Sequence, residues 1–113
     1  MIMTDRFVNG NESNDGNPTG AASGADWQGG DFAGVTSMIE SGYFADLGVN
    51  ALWLTPFNAV AEGTGKAADG VHDVSAFHGY WPTEDRGGEP RLGTEDELHA
   101  MIDAAHERGI RVM

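Results

Sequence analysis

The 113 residues contain no cysteine, which removes disulfide staples and thiolate chemistry while saying little about compartment. Positive charge is scarce: Lys+Arg 6 against Asp+Glu 18 gives a formal net charge of −12. Such an excess argues against phosphate backbones and anionic lipid surfaces, so neither a nucleic acid nor a membrane is an expected partner, whereas a neutral ligand or a cation is compatible. No apolar run is long enough to span a bilayer, and no charged-then-apolar leader opens the chain. The first apolar residues are already Met1 to Met3, so the chain is expected to open inside a strand that begins at or before Met1. With 40% hydrophobic residues it reads as one small domain or part of a larger one.

What is present is organised around Gly48 to Pro56, GVNALWLTP. Val49 to Leu54 is mostly apolar, too short for an ordinary helix, and bracketed by glycine and proline. It reads as a strand buried on both faces, because a strand with one wet face would alternate apolar and polar residues. A strand covered on both sides implies a parallel sheet with helices before and after it. Upstream, Val35, Met38, Ile39, Tyr43, Phe44 and Leu47 recur at roughly helical spacing, with Gly48 placed as a left-handed C-terminal cap. Downstream, Thr94-Glu95-Asp96-Glu97 matches a capping box, Leu98, Met101, Ile102 and Ala105 line one face, and Gly109 offers the stop. With Met1 to Met3 before and Ile110, Val112 and Met113 after, the order is strand, helix, strand, helix, strand, an α/β fold.

The connections are lopsided. Helix-to-strand links are short, about Gly48–Val49 and about Gly109, while the links leaving strands run from about Asp5 to Gly30 and from Phe57 to Gly93. Long loops cost only logarithmically in closure entropy but are uncommon unless they carry function. In parallel α/β folds, strand-to-helix loops emerge at the carboxyl edge, where sites are built.

In the first loop, Asn9, Asn11, Asn14 and Asp15 offer oxygen donors around Gly10 and Gly16, and Asp31 follows Gly29-Gly30. Clustered amide, carbonyl and carboxylate oxygens suit a hard cation, calcium ahead of magnesium because so many protein ligands are offered. The EF-hand pattern is not met, since the sixth and twelfth positions from Asn9 are Asn14 and Gly20. The same residues also fit a solvated turn. Residues Asn17 to Gly24 and Ala59 to Gly70 are small and polar and read as loop without a motif.

The second loop holds Phe77-His78-Gly79-Tyr80-Trp81. Aromatic rings at a functional edge can form a platform for a sugar ring, with His78 supplying a hydrogen bond. They can equally be anchors, Phe77 and Trp81 plugging the loop onto the body. His72, His99 and His106 show no metal-ligand spacing, and His99 and His106 fall near the surface of the capped helix. Asp73, Glu84 and Asp85 are loop carboxylates without an assigned role.

The succession TDRF, NGN with Asn14-Asp15, GGDFAG, LGVNALWLTP, FHGYW, LGTEDEL and AHERGIRVM resembles the opening third of the catalytic domain of the alpha-amylase family, glycoside hydrolase family thirteen. The resemblance runs through nearly the whole chain in order. It implies a partial (β/α)8 TIM barrel, roughly the first two βα units plus the start of the third strand. Met1 to Met3 would end strand one, Val49 to Thr55 would form strand two, and Ile110 to Met113 would open strand three.

By the same resemblance Tyr80 matches the tyrosine that stacks under the sugar beside the scissile bond, His78 a histidine bonding a hydroxyl of that sugar, and Trp81 its structural neighbour. Phe77 stands where tyrosine is frequent. In the branch of cyclodextrin glucanotransferases and maltogenic amylases, the positions matching Asn9, Asn11, Asn14, Asp15, Gly29 through its carbonyl, and Asp31 bind Ca2+. Asn9 replaces a frequent aspartate there. A real calcium site would imply a secreted or periplasmic setting. The implied activity is retaining cleavage or transfer of α-glucosidic bonds in starch, glycogen or maltooligosaccharides. It uses an aspartate and a glutamate roughly 5 Å apart. In the family those groups follow strands four and five, beyond Met113, so no residue here is assigned as catalytic and the 113 residues alone are expected to be inactive. A non-catalytic binding relative and a calcium-stabilised sugar-binding module are the alternatives.

Overall fold

The computed structural model describes residues 1–113. Its regular elements are α1 (Phe32–Glu40), α2 (Tyr43–Asp46), β1 (Ala51–Leu52), β2 (Thr64–Lys66), β3 (Asp73–Ser75), α3 (Glu95–Glu107) and β4 (Arg111–Val112), with short 3-10 turns between them. No helix is long and apolar enough to cross a membrane.

The three apolar runs lie side by side and run the same way. β1 pairs with β4 in parallel, Ala51 opposite Arg111 and Leu52 opposite Val112, and Leu54 forms a parallel bridge to Ile2 on the other side. Ile2 donates its N–H to the Trp53 carbonyl (2.7 Å) and accepts from the Thr55 N–H (2.9 Å); Leu54 donates to Met113 (2.9 Å). Side chains alternate along such strands, so Ile2, Leu52, Leu54 and Ile110 share the face that meets the helices. They join Phe32, Val35, Ile39, Phe44, Leu92, Met101, Ala104 and Ala105 in one core.

The opposite strand face is open. Trp53 is 54% and Val49 38% exposed, so the expectation of burial on both faces does not hold within these residues. The helices of this chain all pack on one side, and nothing here covers the other. The regular pairing is also shorter than Val49 to Leu54, because only Ala51 and Leu52 form a continuous ladder.

The helix boundaries follow from their end chemistry. Asp31 caps α1 by accepting the Gly34 N–H at 2.6 Å. The capping box on α3 is fully formed: Thr94 Oγ1 accepts the Glu97 N–H (3.2 Å), and Glu97 Oε2 accepts the Thr94 N–H (2.7 Å). That return bond holds the Glu97 carboxyl below its ordinary range. Met101 and Ala105 are fully buried, with Leu98 and Ile102 packed beside them. The upstream helix is split in two: Gly42 takes φ 86° between α1 and α2, which ends the first helix and leaves Leu47 60% exposed.

Two further differences concern the loops. Ala59 to Gly70 is not featureless, since β2 and β3 pair as an antiparallel hairpin with Gly65 opposite Val74, and bridges join Asn58 to Gly88 and Val60 to Pro82. Within Asn17 to Gly24, Thr19 is bound through both its N–H and its hydroxyl to Asp26 (2.9 Å each).

Candidate functional site

Both long loops leave the carboxyl ends of adjacent parallel strands. The two exits touch, because the Thr4 N–H reaches Thr55 Oγ1 at 3.3 Å. The Asn-rich turn and the aromatic segment therefore rise from one edge of the sheet.

The first loop is wound around carboxylates. Asp31, fully buried, accepts the N–H groups of Gly10 (3.0 Å), Asn11 (2.8 Å) and Gly34 (2.6 Å), and the Asn14 amide lies 3.4 Å away. Asn9 donates to both oxygens of Asp15 (2.9 and 3.0 Å), and Gly29 lies so close that a Cβ there would strike both side chains. Asn11 faces elsewhere: its side-chain oxygen caps the next turn through Ser13, and its amide lies 3.4 Å from Glu97. The predicted ligand set is thus brought into one loop as two neighbouring groups, Asn9 with Asp15 and Gly29, and Asn14 with Asp31. Asn11 contributes its backbone to the second.

Whether these residues suit a cation can be judged from their oxygens. Asn14 Oδ1 is buried without a hydrogen-bond partner, a costly state for an amide oxygen unless something accepts its lone pairs. The set is all oxygen and flexible, as calcium prefers. No three carboxylate or imidazole side chains converge, so the charge on offer is modest.

The second loop presents the aromatic segment. Gly79 has φ 80°, and a Cβ there would overlap the Pro56 carbonyl oxygen, so only glycine lets this turn press against the end of the central strand. That contact seats His78 and Tyr80 at the strand's carboxyl end. The two rings are nearly parallel, 19° apart with centroids at 6.0 Å, and Trp81 meets His78 edge-on at 4.7 Å. His78 Nδ1 lies 3.0 Å from the Tyr80 N–H and must accept from it. The ring is then neutral with its proton on Nε2, and burial also pushes its pKa below 6.5. Tyr80 is 55% exposed and Trp81 packs on Gly65 of the hairpin. The pair offers one aromatic face and one N–H donor side by side, and Trp81 buttresses both.

Three further residues, which no motif in the sequence marks for that role, hold the loops in place. Asp5, buried, accepts from the Gln28 N–H (2.9 Å) and the Gly29 N–H (3.1 Å) and pairs with Arg6; burial raises its pKa against those bonds. Asp26 is also buried. Burial would raise its carboxyl, but bonds from Trp27 and Thr19 hold it below its ordinary value. Arg91 donates to the carbonyls of Asp15 and Asn17 (2.7 Å each), tying the start of α3 to the first loop. The available signal was scarcity: with six basic residues in the chain, an arginine inside a loop is a candidate tie. The largest cavity, about 770 Å3, opens between the loops beside Trp27, Val60, Glu89 and Arg91. His78 and Tyr80 do not line it; they stand on an open surface.

Comparison with known proteins gives consistent results. Residues 1–113 match the family model described as alpha amylase, catalytic domain. The chain is 36% identical over 118 residues to the periplasmic alpha-amylase of Escherichia coli, covering 100% of this chain and 17% of that protein. It is 36% identical over 124 residues to the cyclomaltodextrin glucanotransferase of Geobacillus stearothermophilus, covering 100% of this chain and 16% of that one. Among solved structures, the gamma-CGTase of alkalophilic Bacillus clarkii superposes with a TM-score of 0.84 at 32% identity, over 98% of this chain and 16% of the other. The chain thus spans about a sixth of the length of these relatives.

Proposed function

The chain belongs to the alpha-amylase family, whose catalytic-domain model it matches from end to end, and on that premise we propose that it forms the first two βα units and the opening of the third strand of a (β/α)8 barrel. The complete protein is then a retaining glycosidase or transglycosylase acting on α-glucosidic bonds of starch-like glucans, with a maltooligosaccharide as its partner. The observation that carries this reading is the pairing of His78 with Tyr80 at the carboxyl end of the central strand.

In this role each residue has a defined task. The exposed ring of Tyr80 offers its face to the apolar C–H side of a sugar ring. His78, neutral and with Nδ1 occupied, donates from Nε2 to a sugar hydroxyl. Trp81 fixes the edge of the imidazole from the hairpin side. These groups orient a ring and keep it still, which lowers the barrier to the extent that the transition state is held more tightly than the ground state. No carboxylate among the 113 residues is assigned a chemical step.

The reading is tested with Tyr80→Ala in the complete protein. We expect kcat/KM on a maltooligosaccharide to fall about 10- to 100-fold, corresponding to about 1.4–2.7 kcal/mol of lost transition-state binding. Because Tyr80 is mostly exposed, stability should change by no more than about 0.5 kcal/mol. Unchanged kcat/KM would refute the sugar platform.

Calcium is the proposed structural ion of the first loop, with Asn9, Asn14, Asp15, the Gly29 carbonyl and Asp31 to hold it and Asn11 at its margin. The ion would supply positive charge where oxygens outnumber donors. At calcium about 100-fold above Kd the stabilisation is about 2.7 kcal/mol. A chelator should therefore lower the Tm of the wild type and leave Asp15→Asn unaffected. A wild-type Tm indifferent to chelator would rule the site out.

A further inference from the structure

We propose that Arg6 is a positioning residue for the sugar platform: its guanidinium sets the pose of Phe77 and, through Phe77, that of His78 and Tyr80. The inference rests on the glucan reading above. Arg6 Cζ stands 3.6 Å over the centre of the Phe77 ring. Phe77 meets His78 edge-on, with centroids 5.5 Å apart at 73°, and His78 is in turn stacked with Tyr80. Four flat groups therefore follow one another from the first loop to the exposed face of the platform.

The first member of that series is the best anchored. Arg6 Nη1 bonds the Asp5 carboxylate and donates to the Asp26 carbonyl (2.7 Å), while Nη2 donates to the Gly24 carbonyl (3.2 Å). Asp5 is itself held by the Gln28 and Gly29 N–H groups. The guanidinium plane is thus fixed by the first loop, independently of the second. Phe77 rests on a surface it does not build.

Lysine cannot substitute. An ammonium has no plane to lie against a ring and no fork to reach two carbonyls while pairing with Asp5. Since Phe77 carries no hydroxyl, its ring is oriented by packing alone, and a cation over its face gives that packing a direction.

The test is a double-mutant cycle in the complete protein, read as the affinity for maltotriose by calorimetry with Tm recorded in parallel. Arg6→Lys is expected to weaken maltotriose binding about three- to fivefold, and the loss should vanish when Phe77→Leu is already present. Non-additivity of that kind is the signature of one residue acting through the other. An arginine that merely stabilises the fold would lower Tm and leave the folded protein's affinity unchanged, and that result overturns the proposal. Additive losses overturn it as well. Tyr80→Ala is the control: if it weakens binding and Arg6→Lys does not, this inference fails alone, whereas if Tyr80→Ala leaves affinity intact the glucan reading fails and takes the inference with it. Arg6→Ala removes the charge beside Asp5 together with the hydrogen bonds and the stack, so the lysine variant, which keeps the charge, carries the cycle.

Discussion

Between Thr4 and Asp31 the chain is held largely by buried carboxylates that gather N–H groups, whereas between Pro56 and Gly93 a backbone-paired hairpin and two bridges do most of the holding, with Glu89 accepting from Val60 and Arg91 and Asp69 from Val71 and His72. Asp5, Asp26 and Asp31 collect donors from residues up to 24 positions away, and only three short 3-10 turns form before α1. The second loop pairs β2 with β3 and adds bridges at Asn58–Gly88 and Val60–Pro82. The first arrangement makes a polar loop whose geometry depends on charge. The second makes a backbone-paired hairpin against which Trp81 packs beside His78 and Tyr80. The proposed cation site and the proposed sugar platform would draw on these two different kinds of support.

The comparison is most exposed to Asp31→Ala. That change strips the acceptor from three backbone N–H groups and uncaps α1, and we expect a loss of about 3 kcal/mol or more, measured by denaturant unfolding. Hydrogen exchange should speed up at Gly10 and Asn11 and stay unchanged at Ala59 and Glu89. Equal loosening of both loops would break the distinction. Gly79→Ala probes the other side: the left-handed backbone and the overlap with the Pro56 carbonyl should cost about 2 kcal/mol or more. Exchange should rise in the second loop only, with loss of maltooligosaccharide affinity.

A smaller effect concerns pH. The Asp26 carboxyl is held below its unfolded value of about 3.8, so the folded state binds fewer protons there and stability rises with pH across that window. Its contribution is complete above about pH 5 and is lost progressively as pH falls through the unfolded and then the folded value. Asp26→Asn should therefore flatten the acid side of the stability curve and cost about 1–2 kcal/mol at neutral pH. An unchanged acid limb would show that the first loop does not depend on this charge.

The same contrast explains what could be read in advance. The three parallel runs were legible because Val49 to Leu54 and Ile110 to Met113 are apolar at strand length, and α3 was legible because Thr94 and Glu97 spell out its start. The clustering of Asn9, Asn14, Asp15 and Asp31 was legible because side chains hold that loop, and side chains are what a sequence displays. The hairpin was not, since Thr64-Gly65-Lys66 pairs through peptide groups that every residue carries. Arg91 and Asp15 lie 76 positions apart, and no local pattern announces such a tie. Gly42 was hidden inside a helical spacing that continues across it. The open face of Val49 and Trp53 was misread because an apolar run specifies that a strand wants cover on both sides, without specifying which residues supply it.

A crystal structure of the complete protein with a bound maltooligosaccharide tests the account most directly. A sugar ring is expected flat against Tyr80, with one of its hydroxyls within about 3 Å of His78 Nε2. A glucan seated instead in the cleft beside Trp27 and Arg91, with Tyr80 left bare, would contradict it.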